Sequence, residues 1–553
     1  MKTIRIFCKN TNAYHDVPKG ATLEEVYSFL DIRLPHCVTS CKVNNRVEGL
    51  HYTLNDSRDI EYLNLTTSTG LRTYTRSLFF VLYKAVYDLY PGTDIRIGTP
   101  VSNGYYCQFD VEGGVTQEMV TRLRERMEEI IKADIPFRRV TAHTTDAIEM
   151  FRSQGLMKKV KLLESIGDLY THYYTLDGVV NYFYGSLLLR TGQIDLFDLM
   201  TYGEGLLLRV PDSENPTQLR PMKEQGKIFS VFQEQHRWQE ILGCTTVGEL
   251  NQAIKAGYTN DLVNVAEALQ EKKIAQIATH IADHEDLKVI LIAGPSSSGK
   301  TTFAKRLSVQ LMACGKKPVS ISLDNYFVNR ELTPLDAKGD YDFEHIEALN
   351  LPLFNDQMIS LLAGEEVELP FFDFPTGKSR PSGKKLRLQP DTILILEGNH
   401  ALNPRMSERI PAENKYKIYA SALTTIMLDD HNYIPTTDSR LLRRICRDYK
   451  YRGYHPQEVI RRCASVTAGE EKWIFPFQEQ ADVMINTALI YELAALRAQA
   501  LPLLEMVPEC AAEYSEAYRL RKFITYFTPM PIDAVPPTSL LREFMGRSTF
   551  QYT

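Results

Sequence analysis

The stretch GPSSSGKT, residues 294–301, limits the folds open to this 553-residue chain more than any other feature. It matches the pattern GxxxxGK[ST] completely, with the apolar run KVILIAG before it and the helical run TFAKRLSVQLMACG after it. A strand, a glycine-rich loop and a helix in this order place backbone N–H groups around phosphate oxygens at the helix N-terminus. The runs PVSISLD and TILILEG continue the alternation of strands with helices. We therefore expect a doubly wound α/β domain with a parallel sheet that holds a nucleoside triphosphate.

The loop and the first turn of its helix supply the candidate ATP-binding residues. Small side chains let the backbone curl around phosphate oxygens, and the lysine of the pattern reaches the β- and γ-phosphates. The hydroxyl after that lysine is a typical Mg²⁺ ligand, which predicts Thr301 as a metal ligand. The predicted ATP-binding residues are Gly294, Pro295, Ser296, Ser297, Ser298, Gly299, Lys300, Thr301 and Thr302.

Two later strands end in carboxylates that suit phosphate transfer. Asp324, in SLDNYF, could deprotonate an acceptor hydroxyl or hold a metal ion, and a strand-end cap is the alternative without chemistry. Glu397, in ILILEGNH, ends an apolar strand, the usual place for an acid that reaches Mg²⁺ directly or through water. We predict Asp324 and Lys300 as catalytic residues and Glu397 as a Mg²⁺ ligand.

An arginine-rich helix is predicted at DSRLLRRICRD, residues 438–448. Positions three and four apart are neighbours on a helix, so Arg440, Arg443 and Arg447 share one face. Leucine and isoleucine side chains between them make the helix amphipathic, which predicts that the arginines lie on its exposed or cleft side. There they could form a lid over the transferring phosphate, with Arg443 and Arg447 as catalytic residues. A solvated basic face is the alternative.

The composition is that of a globular protein with several domains. A net charge of −6 argues against a broad surface for nucleic acid, although a local RNA contact stays open. Apolar runs fall short of the roughly 20 residues that span a bilayer. Nine scattered cysteines without a CxxC pair are typical of a reducing compartment. We therefore expect a cytoplasmic protein without a membrane partner.

The C-terminal half resembles a family of kinases. Residues 286 to about 505 are similar to the uridine kinase and phosphoribulokinase group of P-loop kinases in GPSSSGKTT, SLDNYF, YDFEHIEAL, PFFDFPTGKSR, LILEGNHAL and DSRLLRRICRD. This resemblance implies that Asp324 activates a nucleoside 5′-hydroxyl and that Thr301 and Glu397 serve Mg²⁺. It also implies a set of residues that bind the acceptor, which besides Asp324 comprises Glu344, Phe372, Asp373, Lys378 and Arg440.

Two departures from the family pattern leave the acceptor open. Phe372 stands where uridine kinases have a tyrosine, so a stacking face is kept and a hydroxyl is lost. Lys378 stands where they have a histidine. The acceptor is expected to be a small molecule, foremost a nucleoside, with a sugar phosphate or another anion as the alternative that Lys378 motivates. A stretch before the arginine-rich helix, residues 423–437, resembles an insertion that reshapes the acceptor pocket.

The N-terminal half resembles a different family. Residues 1–65 look like a TGS domain, a small β-grasp module, and the following segment looks like the second additional domain of threonyl-tRNA synthetases. Aligned on LYP and on the later TG, the metal-binding editing positions of that domain are Arg76, Phe80, Phe183 and Leu187, none of which ligates metal as histidine or cysteine does. An RNA contact through this half, a structural role and a role in homo-oligomers all stay open, as does an ATP-switched RNA-binding protein.

These resemblances predict a multidomain α/β and α+β protein in five parts. A helical connector joins the two halves, and a proline-interrupted extension follows the kinase-like part. The predicted parts are residues 1–65 (TGS-like β-grasp), 66–225 (synthetase-like α+β), 226–285 (connector), 286–510 (P-loop kinase-like) and 511–553 (extension).

Overall fold

The computed structural model describes residues 2–336 and 339–552. Within those residues, none of the helices combines the length and the apolar character that a membrane crossing needs. Five sheets are present in the described part, and the predicted mixture of α+β and parallel α/β architecture is confirmed.

The first part is a five-stranded sheet that packs on one short helix. Its strand order is β2-β1-β5-β3-β4, with β1 parallel to β5 and the other neighbours antiparallel. Thr22 and Glu25 form the capping box that begins the helix, as T-x-x-E predicts. The elements are β1 (Thr3–Cys8), β2 (Ala13–Pro18), α1 (Leu23–Phe29), β3 (Val38–Val43), β4 (Arg46–Glu48) and β5 (Asp59–Asn64).

The second part joins a three-stranded and a four-stranded antiparallel sheet around a long helix. The strand orders are β10-β9-β8 and β11-β12-β7-β6. The long helix ends at Leu89, just before the Pro91–Gly92 stop in the sequence. The elements are α2 (Ser68–Leu89), β6 (Ile95–Val101), β7 (Gly104–Phe109), α3 (Gln117–Lys132), β8 (Arg138–His143), α4 (Thr144–Ser153), α5 (Met157–Ile166), β9 (Tyr170–Leu176), β10 (Val179–Asn181), β11 (Asp198–Tyr202) and β12 (Gly205–Arg209).

Three helices then lead to the parallel sheet: α6 (Gly226–Leu242), α7 (Val247–Lys255) and α8 (Thr259–Ala282). The buried side of α8 carries Ile274, Ile277 and Ile281, which pack in one cluster with side chains of the parallel sheet and of the helix after the P-loop. This contact fixes the helical segment to the outer layer of the C-terminal domain.

The C-terminal sheet is parallel throughout, in the order β14-β17-β13-β18-β19. Helices cover both of its faces, so the carboxyl ends of its strands meet at one edge, where ligands bind in such folds. The elements are β13 (Val289–Ala293), α9 (Lys300–Ala313), β14 (Lys317–Ser322), α10 (Leu351–Leu362), β15 (Val367–Asp373), β16 (Lys378–Leu386), β17 (Thr392–Glu397), α11 (Pro404–Ser407), β18 (Lys415–Ser421), α12 (Thr436–Arg452), α13 (Pro456–Trp473), β19 (Val483–Asn486), α14 (Glu492–Glu505), α15 (Tyr514–Ile524) and α16 (Arg542–Met545).

The predicted insertion before α12 packs on the N-terminal half. Asp429 forms a buried ion pair with Lys159 of α5 at 2.9 Å, and Asp430 pairs with Lys158 at 2.8 Å. The Asn432 amide donates to the carbonyl of Tyr182 at 2.8 Å. These contacts tie the two halves together, and the expectation that residues 423–437 reshape the acceptor pocket stays a prediction.

Candidate active site

The loop between β13 and α9 has the close backbone approach that its glycines predict. A Cβ atom on Gly294 would lie 2.0 Å from the carbonyl oxygen of Ala420, so a larger residue cannot replace it without moving β18. Gly299 has φ +81° and Ser297 has φ +60°, which turn the chain into the helix. The Ser298 N–H donates to the carbonyl of Pro295 at 3.1 Å and closes the loop.

The loop presents several donors that no protein group accepts. In the described part of the chain, the N–H groups of Ser297, Gly299, Lys300 and Thr301 have no protein acceptor. The hydroxyl oxygens of Ser297 and Ser298 are buried and likewise without a partner there. Buried polar groups are rarely left unpaired, and a cradle of free donors at a helix N-terminus suits phosphate oxygens. The residues present therefore fit a bound polyphosphate.

Thr302 is placed differently from its predicted role. Its hydroxyl donates to the Glu543 carboxylate at 2.6 Å, and its N–H donates to the same carboxylate at 3.4 Å. Tyr552 lies 2.9 Å from the same hydroxyl. The chain's own C-terminal segment thus occupies the donors that Thr302 was predicted to give to ATP, so a phosphate could bind Thr302 only after displacing Glu543.

The predicted Mg²⁺ ligands lie together at the sheet edge. The Thr301 hydroxyl donates to Glu397 at 3.4 Å, at the end of β17. Burial raises the pKa of Glu397 to about 7, Lys300 opposes this rise, and Asp324 adds to it. A hydroxyl and a buried carboxylate next to phosphate-binding N–H groups form a donor set that Mg²⁺ accepts.

Asp324 and Glu344 lie in the same cleft as the P-loop lysine. Asp324 follows β14 in a short 3₁₀ turn, and in the described part no side chain donates to its carboxylate. Glu344 accepts from the Asn399 amide at 2.8 Å. Burial and the neighbouring Glu470 raise the pKa of Glu344, and Lys300 opposes them. The carboxylate of Asp324 is thus free to accept a proton, whereas that of Glu344 is oriented by an amide.

Arg443 does not lie on an open lid, and this expectation is corrected. Its side chain is fully buried, and its guanidinium pairs with Glu492 at 2.6 Å. It also donates to the carbonyl oxygens of Thr487 at 3.0 Å and Ser297 at 3.4 Å. Helix α14 and the C-terminal extension cover this face of α12. Arg443 therefore contacts the phosphate loop from the interior of the protein.

The other two predicted arginines, Arg440 and Arg447, each form an ion pair with a carboxylate. Arg440 is ion-paired with Glu470, and its Nε donates to the Ser296 carbonyl at 3.0 Å. Glu470 also accepts from the Ser296 N–H at 2.9 Å, so this pair clamps the loop. Arg447 donates to Asp448 at 2.8 Å and keeps partial exposure.

Two further cations of the cleft, Arg444 and Arg452, were not among the predicted site residues. Arg444 lies one turn after Arg440 at the i+4 position, so it shares that side of α12. Burial and Arg447 lower the pKa of Arg444, and Glu470 and Glu344 oppose them. Burial and Arg447 also lower the pKa of Arg452, which Asp324 opposes. The i+4 spacing from Arg440 was the sequence signal that could have identified Arg444.

The predicted acceptor residues of the hairpin β15–β16 are less open than expected. Phe372 is buried, with its ring centroid 5.4 Å from that of Phe327 and 5.1 Å from that of Phe374, so the expected free stacking face is corrected. Phe374 exposes about half of its surface instead. Lys378 is ion-paired with Glu331, and Asp373 lies opposite Lys378 in the strand register of the hairpin.

The four editing positions of the N-terminal half come together in space. The rings of Phe80 and Phe183 lie 5.6 Å apart, and Leu187 is buried in the same cluster. Arg76 lies at the edge, donating to the Ser186 carbonyl at 2.9 Å. A hydrophobic contact thus fills the place at which the resemblance puts a metal site. Throughout the described residues, no group of three or more histidine, cysteine and acidic side chains is arranged to bind a metal.

Comparison with known proteins agrees with the two resemblances. Residues 289–492 match the model of the Phosphoribulokinase / Uridine kinase family. A uridine kinase of Halobacterium salinarum is 29% identical over 196 residues, which cover 35% of this chain and 77% of that protein. A threonine–tRNA ligase of Desulforamulus reducens is 34% identical over 147 residues of the N-terminal region, which cover 27% of this chain and 23% of the ligase.

The chain thus spans less than a third of the threonine–tRNA ligases that it matches, another of which is from Rubrobacter xylanophilus with 29% covered. A solved structure described as a possible uridine kinase from Bacillus stearothermophilus has a TM-score of 0.24 and 18% identity, over 36% of this chain and 89% of that chain. The predicted resemblance of the two halves to two different families is confirmed.

Proposed function

We propose that the protein is a kinase that transfers the γ-phosphoryl group of ATP to the 5′-hydroxyl of a nucleoside. The observation that carries this proposal is the Asp324 carboxylate, to which no side chain of the described residues donates. It lies at the same strand edge as the N–H groups of Ser297, Gly299, Lys300 and Thr301, which have no acceptor among those residues. A nucleotide switch needs the phosphate cradle alone, whereas transfer to a hydroxyl needs a proton acceptor as well. The match of residues 289–492 to a kinase family supports the same reaction class.

In this mechanism the residues of the chain have separate tasks. Asp324 accepts the proton of the attacking hydroxyl, and Lys300 with the N–H groups of the loop balances charge that spreads over the phosphate oxygens. Arg444 of α12, which lies near Glu470 and Glu344, adds positive charge on the acceptor side. Thr301 and Glu397 would hold Mg²⁺, which would supply positive charge to the phosphate groups. Arg443 and Arg440 keep the loop in shape.

The proposed acceptor is a neutral molecule. Lys378 was the reason to consider an anionic acceptor, and its charge is already paired with a carboxylate. Lys378 is ion-paired with Glu331, and both side chains are more than half exposed. Such a pair is worth little energy, yet it cancels the charge that would favour a sugar phosphate. We keep the five-part domain division, with boundaries at residues 65, 225, 285 and 510, as a part of this proposal.

An acceptor panel tests the proposed function directly. Full-length protein, ATP and Mg²⁺ are combined with nucleosides, sugar phosphates or water alone, and ADP release is measured against product formation. We expect product with at least one nucleoside and little ADP release with water. The Lys300→Ala variant, purified identically, reports any contaminating kinase. Product confined to anionic acceptors would overturn the nucleoside assignment, and ADP release equal with and without acceptors would overturn transfer itself.

Glu397 is expected to make the stability of the protein depend on pH, and the Glu397→Gln variant should lack this dependence. Burial raises the Glu397 pKa from 4.5 to about 7. The stability contributed by the protonated form is therefore complete below about pH 4.5 and is lost as the pH rises through about 7. We expect Glu397→Gln to stabilise the ligand-free protein more at pH 8 than at pH 4.5, by up to about 3 kcal/mol. Urea unfolding of both proteins at the two pH values measures this, and a pH-independent difference would contradict it.

A further inference from the structure

The end of the chain lies against the first turn of α9, the helix that follows the phosphate loop. The Glu543 carboxylate on α16 accepts from the Thr302 hydroxyl at 2.6 Å and from the Thr302 N–H at 3.4 Å. The Tyr552 hydroxyl lies 2.9 Å from the same Thr302 oxygen. That oxygen carries one proton, which it donates to Glu543, so Tyr552 donates to Thr302. We call the Glu543 side chain together with residues 547–552 the C-terminal plug.

The donors that the C-terminal plug occupies are among those that a nucleotide uses. In a loop of this pattern the lysine, here Lys300, reaches the β- and γ-phosphates, and backbone N–H groups at the start of the helix hold the phosphates nearer the nucleoside. The Thr302 N–H and hydroxyl thus suit the oxygens of an α-phosphate. A carboxylate and a phosphate are both anions with acceptor oxygens, so Glu543 and a nucleotide exclude each other from Thr302 by contact and by charge.

Glu543 is a buried carboxylate without a cation beside it. It is 8% exposed. Among residues 2–336 and 339–552 no lysine, arginine or histidine forms an ion pair with Glu543, whereas the buried Glu492 pairs with Arg443 at 2.6 Å. Burial of an unpaired charge costs free energy, which the Thr302 donors and the positive end of α9 offset. An anion held in this way returns to water readily once another anion takes its donors.

The backbone on either side of Glu543 is firmly packed, but the residues after α16 are not. Phe544 and Met545 have no exposed surface and belong to the largest hydrophobic cluster of the C-terminal domain. Arg547, two residues later, forms an ion pair with Asp533 at 2.8 Å in which both side chains are mostly exposed, and such a pair is worth little free energy. Displacement of the plug therefore requires a rotation of the Glu543 side chain and the release of the last residues, while α16 stays in place.

We propose that the C-terminal plug is an autoinhibitory contact, in which Glu543 occupies the α-phosphate position at Thr302 until a nucleotide displaces it. This inference rests on the proposed function, because it takes ATP as the ligand of the phosphate loop. The plug raises the nucleotide concentration at which the loop is filled, since part of the binding free energy is used to remove Glu543. It also couples occupancy of the loop to release of residues 547–552, because Tyr552 loses its acceptor when a phosphate takes the Thr302 hydroxyl.

Nucleotide binding to the full-length chain tests the plug without requiring phosphate transfer. ADP, which has the same α-phosphate as ATP, is titrated calorimetrically with Mg²⁺ into wild type and variants. Glu543→Gln keeps the size of the side chain and an acceptor for Thr302 but loses the charge, so it should bind ADP about tenfold more tightly, as a charged hydrogen bond exceeds a neutral one. Tyr552→Phe, which removes one hydrogen bond of the plug, should give a smaller gain of about threefold. Glu505→Gln makes the same charge change at the exposed end of α14 and should leave the affinity unchanged.

Hydrogen exchange of residues 547–552, measured with and without ADP, gives a second readout of opposite sign for the alternative. Displacement of the plug should speed their exchange, whereas a role of Glu543 as a ligand of the nucleotide or its Mg²⁺ would slow it and would make Glu543→Gln bind ADP more weakly. Slower exchange, or affinity in Glu543→Gln equal to or below that of wild type, would overturn the plug, as would binding of ADP to neither protein. A gain of affinity supports it, since misfolding does not tighten binding. Tighter ADP binding in Glu543→Gln without transfer to any acceptor would refute the kinase and keep the plug, and transfer without that gain would do the reverse.

Discussion

Asp324→Asn is expected to lower kcat for phosphate transfer by about 10²- to 10⁴-fold, the range lost with a general base. The amide keeps the shape of the side chain but cannot accept the proton of the attacking hydroxyl. KM for ATP should change little, because Asp324 lies at the end of β14 and outside the phosphate loop. Steady-state kinetics with the best acceptor of the panel, at varied ATP and varied acceptor, measures both quantities.

Asp391→Asn is a matched control for that variant. Asp391 is an exposed acid just before β17, at the opposite edge of the same sheet, and it pairs with Lys317 at 2.8 Å. Its variant should keep the wild-type kcat. If Asp324→Asn stays within about threefold of wild type while Lys300→Ala is inactive, the loop binds ATP but the base is another group, and the assignment of Asp324 is wrong.

The phosphate loop could be predicted because its information is local. Gly294 is required by one close contact with the neighbouring strand, and Gly299 by a positive φ, and both constraints are part of the pattern itself. The parallel sheet followed from short apolar runs that alternate with helices. The same loop geometry leaves the N–H groups of Ser297 and Thr301 without an acceptor among the described residues. Predicting them therefore required no knowledge of distant residues.

The surroundings of the loop depend on distant segments and could not be predicted. Thr302 has the position of a phosphate ligand, yet Glu543 lies 241 residues later and occupies its donors. The insertion at residues 423–437 has the composition of a loop, and its partner Lys159 lies 270 residues earlier. Helical spacing alone grouped Arg443 with Arg447, because spacing gives the angle around a helix and not what covers each side.

In the N-terminal half, too, the contacts between distant segments could not be predicted from the sequence. The alignment identified Phe80, Phe183 and Leu187 as residues that cannot ligate metal, but it did not predict the buried hydrophobic contact that they form. The extension contacts the first sheet through the Arg46 guanidinium, which donates to the Tyr514 hydroxyl at 3.3 Å. The segment in front of the kinase-like part is therefore built into the same structure and shares its packing.

Arg443→Met is expected to destabilise the protein by about 3–5 kcal/mol, the cost of leaving one member of a buried ion pair without its partner. Glu492 is almost fully buried beside Arg443, so its charge has no access to water when the guanidinium is removed. The loss should appear as a lower urea midpoint in the ligand-free protein, together with weaker ATP binding because the Ser297 carbonyl loses its support. Arg409→Met, which breaks an exposed pair with Asp356, is the control and should leave the midpoint unchanged.

The double variant Arg443→Met with Glu492→Gln separates this supporting role from a catalytic one. An uncharged pair in the same place removes the buried charge, and the glutamine oxygen can still accept from the Leu489 N–H, which donates to Glu492 at 3.0 Å. Most of the lost midpoint should therefore return, since replacing a buried ion pair by neutral groups is often close to neutral in free energy. A lid arginine would behave in the opposite way: Arg443→Met would keep the wild-type midpoint and lose kcat, and adding Glu492→Gln would not restore kcat.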